Sequence, residues 1–125
     1  MNTQEMVREF HEKFDLPLQD EPNLPSVELR EMREDLMIEE TLEYYEGEAN
    51  NDLLNIAQEL ADIVYIAYGN ALTYGIDLDS VIREIHRSNM TKLGEDGKPV
   101  YRDDGKVLKG PNYTPPDLER VLFGE

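Results

Sequence analysis

Glu59 and Asp62 are the only charged side chains in the run Leu53–Leu72, LLNIAQELADIVYIAYGNAL, although 32% of the 125 residues are charged. A helix that is apolar on nearly all faces is normally buried. Burying a lone carboxylate costs several kcal/mol or leaves it protonated, unless a cation or a hydrogen-bond network meets it. Three residues apart, the two acids share one helical face and call for a common positive partner, most simply a metal ion. Upstream, Glu39, Glu40 and Glu43 stand in REDLMIEETLEYYEGE, so the chain reads EExxE and then ExxD. Glu43 and Glu59 each lie eight residues from Asn51, and Glu40 and Asp62 each lie eleven away. An antiparallel helical hairpin about that point brings the four carboxylates to two matching levels, roughly 4.5 Å apart at ~1.5 Å rise per residue. Two plainer readings compete. With 28 acidic residues in the chain, EExxE is also what a solvated helix face looks like. Glu59 and Asp62 could instead be bridged to Arg30 or Arg33 across the helix interface. Matched spacing within an apolar surround favours the metal.

The elements that must carry these acids are legible. Met6, Val7, Phe10 and Phe14 make an amphipathic stripe over residues 3 to 14, followed by a loop punctuated by Pro17, Pro22 and Pro25. Ser26 is placed to cap a long second helix running to about Glu46, which Gly47 and Asn50 break. Asn51 is placed to cap a third helix ending near Tyr74, with Gly75 beyond it. Asp77 or Asp79 opens a fourth, LDSVIREIHRSNMTKL. Beyond Leu93, Asp104-Gly105 lies between PVYR and KVLK, a signal for a short β-hairpin. A last helical turn, DLERVLF, follows Pro116. The expected fold is an all-α helical bundle with a C-terminal irregular arm. The third helix has more apolar surface than one hairpin covers, which predicts a homodimer, or a dimer of dimers, completing a four-helix core. Residues 94 to 116, rich in Gly, Pro and charge, are expected to be a mobile arm that orders over bound ligand.

Composition narrows the partners. The length fits one domain, 1–125. A formal charge of −16 argues against nucleic acid, whose phosphates need clustered Lys and Arg. Seven of the twelve basic residues fall between 83 and 109, among five acids. One segment of small positive balance in an acidic body suits a small anionic ligand held between metal and lysines. Cysteine is absent, which excludes disulfides and thiolate ligands. No signal peptide or long uninterrupted apolar run is evident, so no membrane partner is expected and the expected compartment is the cytoplasm.

Several metal and nucleotide motifs fail on particular residues. A di-iron carboxylate bundle needs Glu-x-x-His, but the residues three before His11 and His86 are Arg8 and Arg83. No GxxxxGK occurs around Gly94 to Lys98. EDGKPVYRDDGK lacks the ligand series of an EF-hand. His11 and His86 read as surface or packing residues.

Glu39-Glu40-x-x-Glu43 followed by Glu59-x-x-Asp62, both within hydrophobic helices, resembles the signature of the MazG-like all-α nucleoside triphosphate pyrophosphohydrolases, a group that includes phosphoribosyl-ATP pyrophosphohydrolase and the dimeric dUTPases. The resemblance covers residues 26 to about 92. SNMTK at 88 to 92 is similar to an Asn and Lys segment of several members, and KGPNYTPPDL at 109 to 118 to the tail of a bacterial and phage subgroup. It implies that Glu40, Glu43, Glu59 and Asp62 hold Mg²⁺, with Mn²⁺ as a substitute. It also implies cleavage between the α and β phosphates of a nucleotide, giving a nucleoside monophosphate and pyrophosphate.

That chemistry suits the residues. Mg²⁺ prefers oxygen ligands and keeps several waters, so carboxylates and phosphates fill its shell naturally. Glu39 is the expected catalytic residue, orienting or deprotonating the attacking water. Asn89, Lys92 and Lys109 are the expected substrate-binding residues, the lysines neutralising the outer phosphates. The resemblance favours a deoxypyrimidine or modified triphosphate and a role in cleansing the nucleotide pool. Alternatives are phosphoribosyl-ATP hydrolysis and a non-catalytic acidic interaction protein, whose acids would face outward rather than sit among core residues.

Overall fold

In the computed structural model, which describes residues 1–124, contacts cluster into two compact units, Met1–Ile76 and the segment from Asp77 onward. In the first, Asn2 and Glu5 form a reciprocal capping box that opens α1 (Thr3–Lys13). Ser26 opens α2 (Val27–Ala49), its side chain accepting from the Leu29 amide. Asp52 opens α3 (Leu53–Tyr74), accepting from the Asn55 amide. The expected cap, Asn51, instead takes a left-handed conformation with φ 54°, which turns the chain and leaves capping to the next residue. α2 also runs past the expected stop. Gly47 lies inside it because α3 presses there: a Cβ on Gly47 would sit 2.6 Å from Asn55 Nδ2. Near the turn Gly47 meets Asn55, and farther out Arg33 meets Gly69 and Asn70. These pairings make α2 and α3 an antiparallel hairpin symmetrical about Asn51.

α1, in which Val7 is fully buried, packs on α3 with an edge-to-face contact of Phe10 with Tyr65, ring centroids 5.8 Å apart. The proline-punctuated loop then closes the end of α3. Gln19 N and Asn23 N donate to the carbonyls of Leu72 and Tyr74, and Gln19 Nε2 donates to that of Thr73, satisfying acceptors a helix C-terminus leaves open. Gly75, at φ 73°, ends the helix, and a Cβ there would overlap the Glu21 carbonyl.

The second unit starts at Asp77, whose side chain caps α4 (Leu78–Met90). The helix stops three residues short of Leu93, the expected end, because Thr91 and Lys92 close a turn onto the Ser88 and Asn89 carbonyls. β1 (Val100–Tyr101) and β2 (Val107–Leu108) pair antiparallel, their turn held by Gly105 at φ 89° and an Arg102–Asp104 ion pair. Asp117 caps α5 (Leu118–Phe123).

The stretch expected to be mobile as far as residue 116 is anchored from Gly110 onward. Gly110 N donates to Lys92 O at 2.9 Å, and Ser88 Oγ donates to Thr114 O at 2.8 Å. Arg87 donates to Thr114 Oγ1 and Pro115 O. Beneath them, Glu84 is 5% exposed and takes Arg87, Arg120 and the Asp117 amide. Those donors hold its carboxyl at about 2, well below the usual range. The architecture is all-α apart from the two-residue strands. Among the described residues, no helix is long and apolar enough to cross a membrane.

Candidate metal centre

The hairpin register decides which acids meet. Glu43 and Glu59, equidistant from Asn51, come together, and Glu40, one turn farther from the loop on α2, joins them. One oxygen from each of Glu40, Glu43 and Glu59 lies within 4.8 Å of the other two. They span a gradient of burial: Glu43 is exposed, Glu40 half-buried and Glu59 only 4% exposed. Asn55 Nδ2 donates to the Glu43 carbonyl at 3.3 Å, tying the start of α3 to this part of α2. A groove of about 340 Å³, lined by Glu43, Glu46, Gly47, Asn50, Asp52 and Asn55, opens beside the cluster.

Three carboxylates this close repel. Hydrogen bonding to Glu40, with burial and a second hydrogen bond to Glu43, pushes the Glu59 carboxyl up to about 8. A proton thus stands in for a cation. Even so, Glu40 Oε2 and Glu59 Oε2 are buried with no hydrogen-bond partner. Unpaired buried acceptors are uncommon, and a divalent cation is the partner that such a donor set fits: hard oxygen ligands, several of them, able to carry negative charge.

The competing salt bridge is not formed. Arg33 is 4% exposed and donates through Nε to Asn70 Oδ1 at 2.7 Å. Among the described residues, no ion pair joins Arg30 or Arg33 to Glu59 or Asp62. His11 fills a packing role. It is 2% exposed, its Nδ1 bonds the Pro17 carbonyl at 3.0 Å, and burial lowers its pKa.

The other expected site residues are placed differently. Asp62, expected beside Glu59 among the metal ligands, is half-buried and outside the three-acid group; Glu59 is the deeply buried one. Glu39 is exposed on α2 and also outside the group. In the second unit, Asn89 is exposed at the end of α4, and its carbonyl accepts from Lys92 N at 3.1 Å. Lys92 and Lys109 flank one narrow neck, because Gly110, next to Lys109, bonds the Lys92 carbonyl. Lys109 Nζ lies 4.8 Å from the centre of the Tyr113 ring, a contact with no signal in the sequence beyond a Lys and a Tyr four residues apart.

Fold and site together define an all-α protein whose first unit carries a partly buried carboxylate cluster suited to a divalent cation. Over residues 7–89 the chain matches the phosphoribosyl-ATP pyrophosphohydrolase family. It belongs to that family, the nucleotide pyrophosphohydrolases of the MazG-like fold, which are hydrolases acting on phosphoric anhydrides. A candidate NTP pyrophosphohydrolase from Exiguobacterium sp. 255-15 has a similar fold, with 22% identity, a TM-score of 0.50 and coverage of 95% of this chain and 91% of that one. No curated protein sequence matches the chain.

Proposed function

We propose that this protein hydrolyses a nucleoside or deoxynucleoside triphosphate between the α and β phosphates, releasing the monophosphate and pyrophosphate, in a Mg²⁺-dependent reaction. The observation carrying this reading is the trio Glu40, Glu43 and Glu59, which leaves two buried carboxylate oxygens without partners. These three residues, with Asp62 one turn along α3, are the proposed ligands. Mg²⁺ bound there supplies Lewis-acid polarisation of a phosphoryl oxygen and makes coordinated water more acidic. Glu39, exposed on α2 next to Glu40, is the proposed group that orients the attacking water and takes its proton. Asn89, Lys92 and Lys109 are the proposed contacts to the outer phosphates, where positive charge offsets the charge of the leaving pyrophosphate.

The active unit in this reading is a dimer. Ile38, Leu42 and Tyr45 form an exposed stripe on α2, and Leu53, Leu60 and Val64 one on α3, so a second copy completes a four-helix core. The proposed role is cleansing of the nucleotide pool, with a deoxypyrimidine or modified triphosphate as substrate.

A panel of NTPs and dNTPs, assayed with Mg²⁺, with Mn²⁺ and with EDTA, tests the reading when pyrophosphate, orthophosphate and monophosphate are measured separately. Release of pyrophosphate with monophosphate, abolished by EDTA, is expected; release of orthophosphate alone would sink it. The family match gives specific support to one further substrate, phosphoribosyl-ATP, which belongs in the same panel.

A further inference from the structure

The hairpin between Lys92 and Lys109 leaves and re-enters the second unit through a tight neck. Gly110 N donates to Lys92 O at 2.9 Å, and a Cβ on Gly110 would overlap the Leu93 carbonyl oxygen. Only glycine lets the two segments of the neck close so far, which brings the backbone at Lys92 next to Gly110, the neighbour of Lys109. The chain then turns at once, Tyr113 N donating to Gly110 O at 3.3 Å. That turn is sewn to the end of α4: Thr114 N donates to Thr91 Oγ1 at 2.9 Å, and the Thr114 carbonyl accepts from Ser88 Oγ at 2.8 Å. Tyr113 OH lies 3.5 Å from Ser88 Oγ, and Ser88 is 2% exposed. The Tyr113 ring is thus held at its backbone and near its hydroxyl, with one face under the Lys109 ammonium.

The partners of the cations in this unit give the contact meaning. Arg87 and Arg120 pair with Glu84, and Arg102 with Asp104. Lys92 and Lys109, like Arg83, Lys98 and Lys106, have no carboxylate ion pair among the described residues, in a chain of net charge −16, and Lys109 is the one of these five set over an aromatic ring. A π face holds an ammonium without neutralising it, so Lys109 keeps its full charge for an external anion while its flexible stem is restrained.

We propose that Tyr113 is a positioning residue for substrate. Its ring preorganises Lys109 at the hairpin neck that Lys92 also flanks, and the two lysines bind phosphate groups of the nucleotide. The inference rests on the triphosphate pyrophosphohydrolase reading and adds to it the residue that sets phosphate affinity. Restraining Lys109 before binding removes part of the ordering entropy that a free lysine would lose on meeting phosphate. The effect belongs to substrate affinity rather than to the chemical step.

The test compares Tyr113→Leu, Tyr113→Phe, Lys109→Met and the double variant Tyr113→Leu/Lys109→Met in the full chain. KM and kcat are measured with the best triphosphate of the panel, and Kd by calorimetry for an α,β-imido triphosphate in Mg²⁺. Tyr113→Leu is expected to raise KM and Kd about three- to tenfold with kcat nearly constant, and Tyr113→Phe, which keeps the π face, to recover most of that loss. Lys109→Met raises both constants further, and adding Tyr113→Leu to it changes little, because the ring acts through the ammonium. Additive effects of the two substitutions, or a Phe variant as impaired as the Leu variant, overturn the proposal. If Lys109→Met leaves KM and Kd unchanged while pyrophosphate is still released, this inference fails and the pyrophosphohydrolase reading stands. If the parent hydrolyses no triphosphate, that reading fails, and the Kd series still decides whether Tyr113 sets phosphate affinity.

Discussion

Gly69 on α3 lies directly against the guanidinium of Arg33 on α2: a Cβ on Gly69 would overlap Arg33 Nη2 and sit 2.9 Å from Nε2 of His11 on α1. Three helices of the first unit meet at one missing side chain. Gly69→Ala is therefore expected to destabilise by about 1–3 kcal/mol through overpacking, read as a lower midpoint in urea. Gly47→Ala meets the end of the half-buried Asn55 side chain, with Ile56 at ordinary contact distance, and about 1 kcal/mol of gained helix propensity offsets the crowding. A near-neutral Gly69→Ala would show that Arg33 is not fixed where Asn70 holds it.

Glu59→Gln separates a metal site from a structural bridge. Gln matches the protonated Glu59 in shape and charge, so the EDTA-treated variant should melt close to the EDTA-treated parent at neutral pH and above it once the pH passes about 8. Mg²⁺ should raise the parent's melting temperature and leave the variant's almost unchanged, since a ligand that binds only the native state stabilises only what binds it. Pyrophosphate release should fall by at least about 10- to 100-fold, the range seen even for outer partners of metal ligands. Asp62→Asn, at the half-buried position, is expected to show the same pattern more weakly. A variant melting far below the parent in EDTA, with Mg²⁺ shifting neither, contradicts the metal reading.

Acidity should reveal the shared proton. Glu59 releases its proton at about 8 in the folded metal-free protein and near 4.5 when unfolded, so across that window the native state binds more protons. Its contribution to stability is fully present below about 4.5 and is lost as pH rises through about 8. The metal-free melting temperature should therefore decline over this range while Mg²⁺ affinity climbs, because the ion displaces the proton. Calorimetry at pH 7 in two buffers of different ionisation enthalpy should detect proton release on Mg²⁺ binding; its absence would count against a protonated Glu59.

Glu84 titrates in the opposite sense. Its carboxyl is held at about 2 by Arg87, the Asp117 amide and Arg120, so the stability it gives is present above about 4.5 and is lost as pH falls toward 2. Glu84→Gln removes that anchor. Amide hydrogen exchange in residues 113–123 is expected to speed up while exchange in α2 and α3 stays as in the parent. Unchanged protection of this tail would mean the threonine contacts hold it alone.

Light scattering tests the second copy. The parent is expected to be a dimer or larger at micromolar concentration. Leu42→Glu combined with Val64→Lys, at positions 59% and 48% exposed in one chain, should shift it to monomer. A folded, monomeric parent would remove the reason for the exposed stripes.

Much of the hairpin and its acids is legible in the linear sequence, because helix ends and spacing are local properties. Ser26 and Asp77 cap the helices they precede, and capping depends on residues within about three positions. The pairing of Glu43 with Glu59 follows from counting to Asn51, since both helices rise equally per residue. Packing overrules local signals elsewhere. Gly47 reads as a stop, yet α2 continues through it to Ala49, and Gly47 lets Asn55 of α3 come close. Arg33 reads as a partner for an acid, yet it bonds Asn70. Whether Glu59 or Asp62 is the deeply buried acid depends on what surrounds each face of α3, and the placement of Tyr113 under Lys109 depends on threonine and serine contacts more than twenty residues away in sequence. Spacing along a helix can be counted from the chain; burial and cross-chain contacts exist only once distant segments have met.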